Sequence, residues 1–286
     1  MIYISSSSST KTNIIECIEE IYQHGFTNIE LSGGTNYYEG IESDILDIQQ
    51  RLSINLLLHN YFPPPKKEFI LNLASLDENI YEQSMAHCKR AINLSIQLGC
   101  TKYAVHAGFF IDIQLKEVGG KLTREKLFDI PTATRRFCNA YSELKNYAKG
   151  KLTLYLENNV ISNENYQTFN QVNPFLLTDF NSFTELHDTI DFDILLDLAH
   201  LKVSCNTLDY VFEDHLEKLI TTTNYIHISN NDGLSDGNKG ISEDSDLLKA
   251  MAKHDLTNKI ITLEIYESFH TIRDSYNNIQ FLIDGK

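Results

Sequence analysis

Nowhere among the 286 residues is there an apolar run of the length a membrane span needs. The first residues, MIYISSSSSTK, lack both the basic segment and the longer apolar core of a signal peptide, so a cytoplasmic setting is expected. No C-x-x-C pair occurs either. Cys17, Cys88, Cys100, Cys138 and Cys205 are scattered, which reads as free thiols of a reducing compartment. Basic residues are scarce: 24 Lys and Arg against 39 Asp and Glu leave a formal net charge of −15. That balance opposes nonspecific attraction to nucleic acid or an anionic membrane. Linkers, low-complexity boundaries and coiled-coil heptads are absent, so residues 1–286 are expected to form one domain.

What is present is a strand-then-helix unit repeated eight times. Short apolar runs predict strands at 2–5, 28–32, 54–59, 103–107, 152–157, 194–197, 225–228 and 260–265. Helical patterns fall near 12–24, 41–51, 78–98, 132–148, 178–189, 207–222, 244–255 and 271–283. Gly25 and Gly99 sit where helices end in a left-handed residue. Pro131 with Thr132, Asp209 and Asp244 sit near helix starts. Strict alternation favours a parallel sheet closed into a single (β/α)8 TIM barrel, with about 36 residues per unit. Two long segments, 60–77 and 107–131, leave strands on the rim and are expected to cover a substrate. The Ser5–Thr10 run, leaving the end of strand 1, reads as a flexible polar turn or as a binding segment.

Four of the apolar runs end in a potential metal ligand: LTLYLE at Glu157, DILLD at Asp197, NYIH at His227 and IITLE at Glu264. Parallel strands of a barrel aim their last side chains into one mouth. Three carboxylates converging there repel one another unless a cation joins them. An oxygen-rich set with one imidazole and no thiolate suits Mn²⁺, Mg²⁺ or Co²⁺ and tolerates Zn²⁺. Such an ion polarises a carbonyl and its neighbouring hydroxyl, lowering the cost of an enediolate. Glu157 and Glu264, expected on opposite sides of the barrel, would exchange a proton on opposite faces of a bound sugar, as epimerisation or aldose–ketose isomerisation requires.

Further polar residues fall at matching places. Glu30 ends strand 2, His59 strand 3 and His106 strand 4, while His200 lies three residues beyond Asp197, and Asp232, Asp236 and Asn238 follow strand 7. His59, His106, His200 and Asp236 are candidates for a second metal or for substrate contact. Glu30, Tyr61, Phe109 and Asn238 are weaker candidates for lining the substrate, and Tyr61 and Phe109 read equally as loop anchors. Gly237 and Gly240 around Lys239 read as a surface turn or as a phosphate wrap.

In order along the chain, IELSGG, HNYFPP, VHAG, LENN, LLDLAHLKV, HISNNDG and LEIY resemble the xylose isomerase-like TIM-barrel superfamily. That group includes sugar and sugar-phosphate isomerases and epimerases, and endonuclease IV. The resemblance implies that Glu157, Asp197, His227 and Glu264 hold one divalent metal, that both glutamates act as acid and base, and that His200 contacts substrate. It also implies the alternatives: a zinc phosphodiesterase whose extra ligands match His59, His106 and His200, or a lyase or dehydratase on the same site. Where the nuclease carries Asp-x-His this chain has Asp236-Gly237-Asn238, and where ketose 3-epimerases carry a Glu and an Arg it has Asn163 and Gly233. The expected partner is a small-molecule carbohydrate, with nucleic acid disfavoured, no membrane, and a homo-oligomer left open.

Overall fold

The computed structural model describes residues 1–123 and 126–285. Eight parallel strands close into a barrel in sequence order: β1 (Ile2–Ser5), β2 (Asn28–Leu31), β3 (Asn55–His59), β4 (Lys102–His106), β5 (Thr153–Glu157), β6 (Asp193–Asp197), β7 (Tyr225–Ile228) and β8 (Ile260–Leu263), with β8 pairing back onto β1. Each lies within two residues of the position its apolar run predicts. Alternate residues of each strand serve opposite faces. Leu154, Leu156, Ile194, Leu196, Ile226 and Ile228 are buried in the principal core, each contributing about 1.5–3 kcal/mol of transfer free energy.

The other face of each strand lines the lumen, and it is more polar than the apolar runs suggest. Tyr225 of β7 donates to Glu30 of β2 across the barrel, and the Tyr155 and Tyr225 rings meet at 5.3 Å. Neither pair joins neighbouring strands of the sheet, so both contacts run through the interior.

Helix Glu78–Gln97 starts at Asp77, whose carboxylate accepts from Asn79 N and Ile80 N, and Gly25 and Gly99 adopt left-handed φ of 80° and 71° just past their helices. The expected helix over 207–222 is instead two, Leu198–Thr207 and Phe212–Ile220. Asp197 caps the first by accepting from His200 N at 2.7 Å, so the helix begins the moment β6 ends. Asp209 sits in the turn between them with φ 59° rather than capping anything. Ser245, not Asp244, caps helix Asp246–Met251. A short helix, Asn163–Thr168, was not foreseen in the loop after β5.

The serine run is pinned rather than flexible. Ser6–Ser8 form a 3₁₀ turn, Ser6 Oγ accepts from Ser32 N at 2.9 Å, and Ser7 Oγ donates to Gly33 O at 3.0 Å. The loops 60–77 and 107–131 are stitched together by Asn72, which donates to Phe109 O at 2.9 Å and accepts from Phe109 N at 3.2 Å. Gly108 permits this approach, since a Cβ there would meet Ala74 Cβ at 2.6 Å. Residues 124 and 125 of the second loop lie outside the described residues. Among the described residues no helix is long and apolar enough to cross a membrane.

Candidate functional site: a cluster of carboxylates and imidazoles at the barrel mouth

Side chains two residues apart on a strand share a face, so the lumen is layered. Leu57, Ala104, Tyr155, Leu195, Tyr225 and Thr262 precede, by two, the positions His59, His106, Glu157, Asp197, His227 and Glu264. The sheet register sets His106 beside Glu157 and Asp197 beside His227. Glu264 stands one residue past the end of β8, not within it, but its N–H still bonds Ile228 O at 3.1 Å and carries the register onward.

These side chains meet. Donor atoms of Glu157, Asp197, His227 and Glu264 all lie within 4.8 Å of one another, and so do those of His59, His106 and Glu157. Glu157 belongs to both groups. Its Oε2 is 2.5 Å from His59 Nε2 and 3.2 Å from His106 Nε2, while its Oε1 is 3.6 Å from His227 Nδ1. His227 Nδ1 also faces Glu264 Oε2 at 3.5 Å. Glu157 and Glu264 stand three strands apart around the closed barrel, not on opposite sides as expected. Both belong to the four-residue group itself.

The site is dry: Glu157 and His227 are 0 % exposed, Asp197 2 % and Glu264 8 %. Even so, Glu157 Oε1 and His227 Nδ1 are buried with no hydrogen-bond partner. Such orphans are costly, about 1–3 kcal/mol each and more for charged groups. Electrostatics reflects the crowding. Burial pushes Asp197 up to about 7, and Glu157, Asp236 and Glu264 push the same way while His200 opposes them. Burial resists ionisation of Glu157 too, but His106 and His59 hold its carboxyl well below the usual range. Burial disfavours charge on His59, His200 and His227 as well. Against it, Glu157 raises His59, Asp197 and Asp236 raise His200, and Glu30 and Glu264 raise His227. These shifts favour protons on a cluster that a divalent cation fits by donor type, by burial and by the orphaned donor atoms of Glu157 and His227.

Around the cluster, the remaining candidates divide. His200 Nε2 is 3.3 Å from Asp236 Oδ2, and its Nδ1 is 2.8 Å from Asn158 O, so His200 and Asp236 join the site from outside the four-residue group. Glu30, expected at the substrate, lies one layer deeper and fully buried under His227. Tyr61 and Phe109 are loop anchors: Tyr61 Oη accepts from Phe69 N at 2.7 Å and its ring stacks on His87, while Phe109 packs with Ile111, Leu122 and Phe169. Asn238 is buried with φ 46°, its carbonyl accepting from Tyr266 N at 2.9 Å. Gly240 N bonds Glu267 Oε2 at 2.9 Å, so the chain's own carboxylate occupies the amide a phosphate would need. A separate groove of about 360 Å³ between Phe69, Ile70, Ile111 and Ile113 lies among the loop residues and includes none of the cluster.

Sequence reasoning passed over Asn158. Its amide accepts from Asp197 N at 2.8 Å and donates to Asp197 O at 2.9 Å, clamping the backbone of one candidate ligand to the neighbour of another. The signal was legible in LENN, where an amide follows a rim glutamate on a buried strand.

A family model described as xylose isomerase-like TIM barrel matches residues 18–281. No curated protein matches the sequence at a significant level. Among solved structures, the chain is similar to a D-tagatose 3-epimerase-like protein, at TM-score 0.70 and 18% identity over 98% of this chain and 95% of that one. It is similar also to an L-ribulose 3-epimerase, at 0.67 and 14% over 99% and 94%. A third is a Thermus thermophilus protein soaked with ZnCl2, at 0.63 and 15% over 99% and 97%. At these identities the likeness is one of fold.

Proposed function

The chain belongs to the xylose isomerase-like TIM barrel family, and from that premise we propose that it is a divalent-metal-dependent isomerase or epimerase of a sugar, sugar derivative or sugar phosphate. Glu157, Asp197, His227 and Glu264 would hold the ion, and the observation that carries the reading is their convergence within 4.8 Å around orphaned, buried donor atoms. A bound divalent cation would supply polarisation of a substrate carbonyl and the hydroxyl beside it. The rest falls to the chain. Glu157 and Glu264 reach the cluster from strands three steps apart, so a sugar seated over it would meet both carboxylates from different directions. One takes a proton from the carbon next to the carbonyl and the other returns it. His200, held by Asp197, Asn158 and Asp236, would contact the substrate. That the similar structures include proteins described as sugar 3-epimerases supports the substrate class.

The test is hydrogen exchange. The wild-type protein, incubated with its substrate and Mn²⁺ in deuterated water, should place deuterium on the carbon next to the carbonyl. Glu157→Gln and Glu264→Gln should each abolish this with the fold intact, and normal exchange in both variants would refute the mechanism.

One observation favours a second reading. Glu157 offers Oε2 to His59 and His106 while Oε1 faces the other ligands, so the two groups that share it would hold two ions, which could supply metal-assisted hydrolysis of a phosphodiester. Against it stand the net charge of −15, Asn238 in place of an imidazole beside Asp236, and the 2.5 Å hydrogen-bond separation of Glu157 Oε2 and His59 Nε2. Metal stoichiometry separates the two: two or more zinc ions per chain would favour the phosphodiesterase, and one ion the isomerase.

A further inference from the structure

Beneath the metal-ligand cluster lies a carboxylate that the proposed reaction does not use. Glu30 is fully buried on β2, and two hydroxyls donate to its Oε2: Tyr225 Oη, and Thr262 Oγ1 at 2.7 Å. Its other oxygen, Oε1, lies 2.7 Å from His227 Nε2, and neither of these two buried atoms has another hydrogen-bond partner. The opposite ring nitrogen, Nδ1, faces Glu157 and Glu264. The imidazole therefore spans two layers of the lumen, one edge on a carboxylate held by two hydroxyls and the other on the candidate ligand set.

We propose that Glu30 is the positioning residue of the metal centre: it accepts the Nε2–H of His227, fixes the tautomer whose Nδ1 lone pair points at the ion, and is itself held by Tyr225 and Thr262. This rests on the reading of His227 as a ligand. Histidine ligands commonly donate their second N–H to a carboxylate, which orients the ring and raises its basicity. An alternative is a deeper ion held by Glu30 itself, since donor atoms of Glu30, His59, His227 and Glu264 also lie within 4.8 Å of one another. The distances argue against it. Two donors bound to one ion at about 2.0–2.1 Å sit roughly 3 Å or more apart, whereas Nε2 and Oε1 are 2.7 Å apart, a hydrogen-bond separation.

The experiment is a Co²⁺ titration of chelator-stripped protein, followed by visible absorption and by calorimetry, on wild type, Glu30→Gln, Tyr225→Phe and Thr262→Val. Glu30→Gln should bind Co²⁺ about 10–100-fold more weakly with an altered visible band, while its apo circular dichroism matches wild type. Tyr225→Phe and Thr262→Val should show smaller losses in the same direction. Wild-type affinity and an unchanged band in Glu30→Gln would overturn the proposal. If Glu30→Gln fails to fold, unchanged affinity and band in Tyr225→Phe would overturn it equally, and a loss there would support it. A wild-type protein that binds no Co²⁺ would overturn the metal-centre reading itself, and this assignment with it.

Discussion

The lumen has a floor and a mouth, both polar, yet their polar groups are handled differently. At the floor, Lys102 Nζ bonds Asn224 Oδ1 at 2.9 Å and also Tyr155 Oη, Tyr155 Oη bonds Asn224 Oδ1 at 2.8 Å, and Asn55 donates to Asn28 at 2.8 Å. The side chains there satisfy one another. At the mouth, three carboxylates and several imidazoles converge, and Glu157 Oε1, His227 Nδ1 and His106 Nδ1 are left without hydrogen-bond partners. A chain that closes a polar network at one end of its barrel has not closed the one at the other. Polarity inside a barrel therefore reads as structure where it is satisfied, and as a candidate binding place where it is buried and incomplete.

That contrast can be broken at several points. The largest effect should come from Glu157→Ala, which removes the carboxylate shared by two of the three candidate ligand groups. Metal affinity by calorimetry should fall by more than the roughly 10–100-fold that losing an outer partner costs. Retained affinity would remove Glu157 from the centre.

Acidity should act next. Asp197, raised to about 7, and His59, His200 and His227, all raised, contribute stability that is present below their unfolded values and lost as pH climbs through the folded ones. His87 and His106, pushed down to about 4, work the other way, but only below the ordinary histidine value of 6.5. Above pH 6.5, then, the four raised groups should lower the melting temperature of the metal-free protein as pH rises, opposed by the partly buried Met1 amine, and metal affinity should rise because fewer protons must be displaced. A metal affinity flat across that range would contradict the overlap of protons and ion at one place.

Saturating metal should stabilise the fold by about 2.7 kcal/mol at one hundred times its Kd, read as a shift in melting temperature. Asn158→Ala should cost about 1–3 kcal/mol, since it strips the partners from the buried N–H and C=O of Asp197, and it should weaken metal binding as well. The smallest effect belongs to the floor. Lys102→Met should cost about 1 kcal/mol and leave metal affinity as it was. If it weakened binding as Asn158→Ala does, floor and mouth would be one network and the contrast would dissolve.

How much of this could be read from the chain follows from what is local. Strands and rim residues were legible because a parallel barrel with a two-residue repeat places the last inward side chain of LTLYLE, DILLD and NYIH at one mouth. Features that depend on two jobs in one residue were not. Asp197 is both a rim carboxylate and the cap of helix Leu198–Thr207, so the helix starts where a loop was expected. Nor could features made by distant partners be read: Tyr225 and Glu30 lie 195 residues apart in sequence, and only closure of the barrel puts a hydroxyl beside that carboxylate. Tyr61 and Phe109 kept both readings until their contacts placed them with the loops.

The most direct test of the account is anomalous diffraction from crystals soaked with Mn²⁺. A peak bounded by Glu157, Asp197, His227 and Glu264, about 2.0–2.3 Å from their donor atoms, is the predicted result. A map with no peak there, or with the ion held only by other residues, would contradict it.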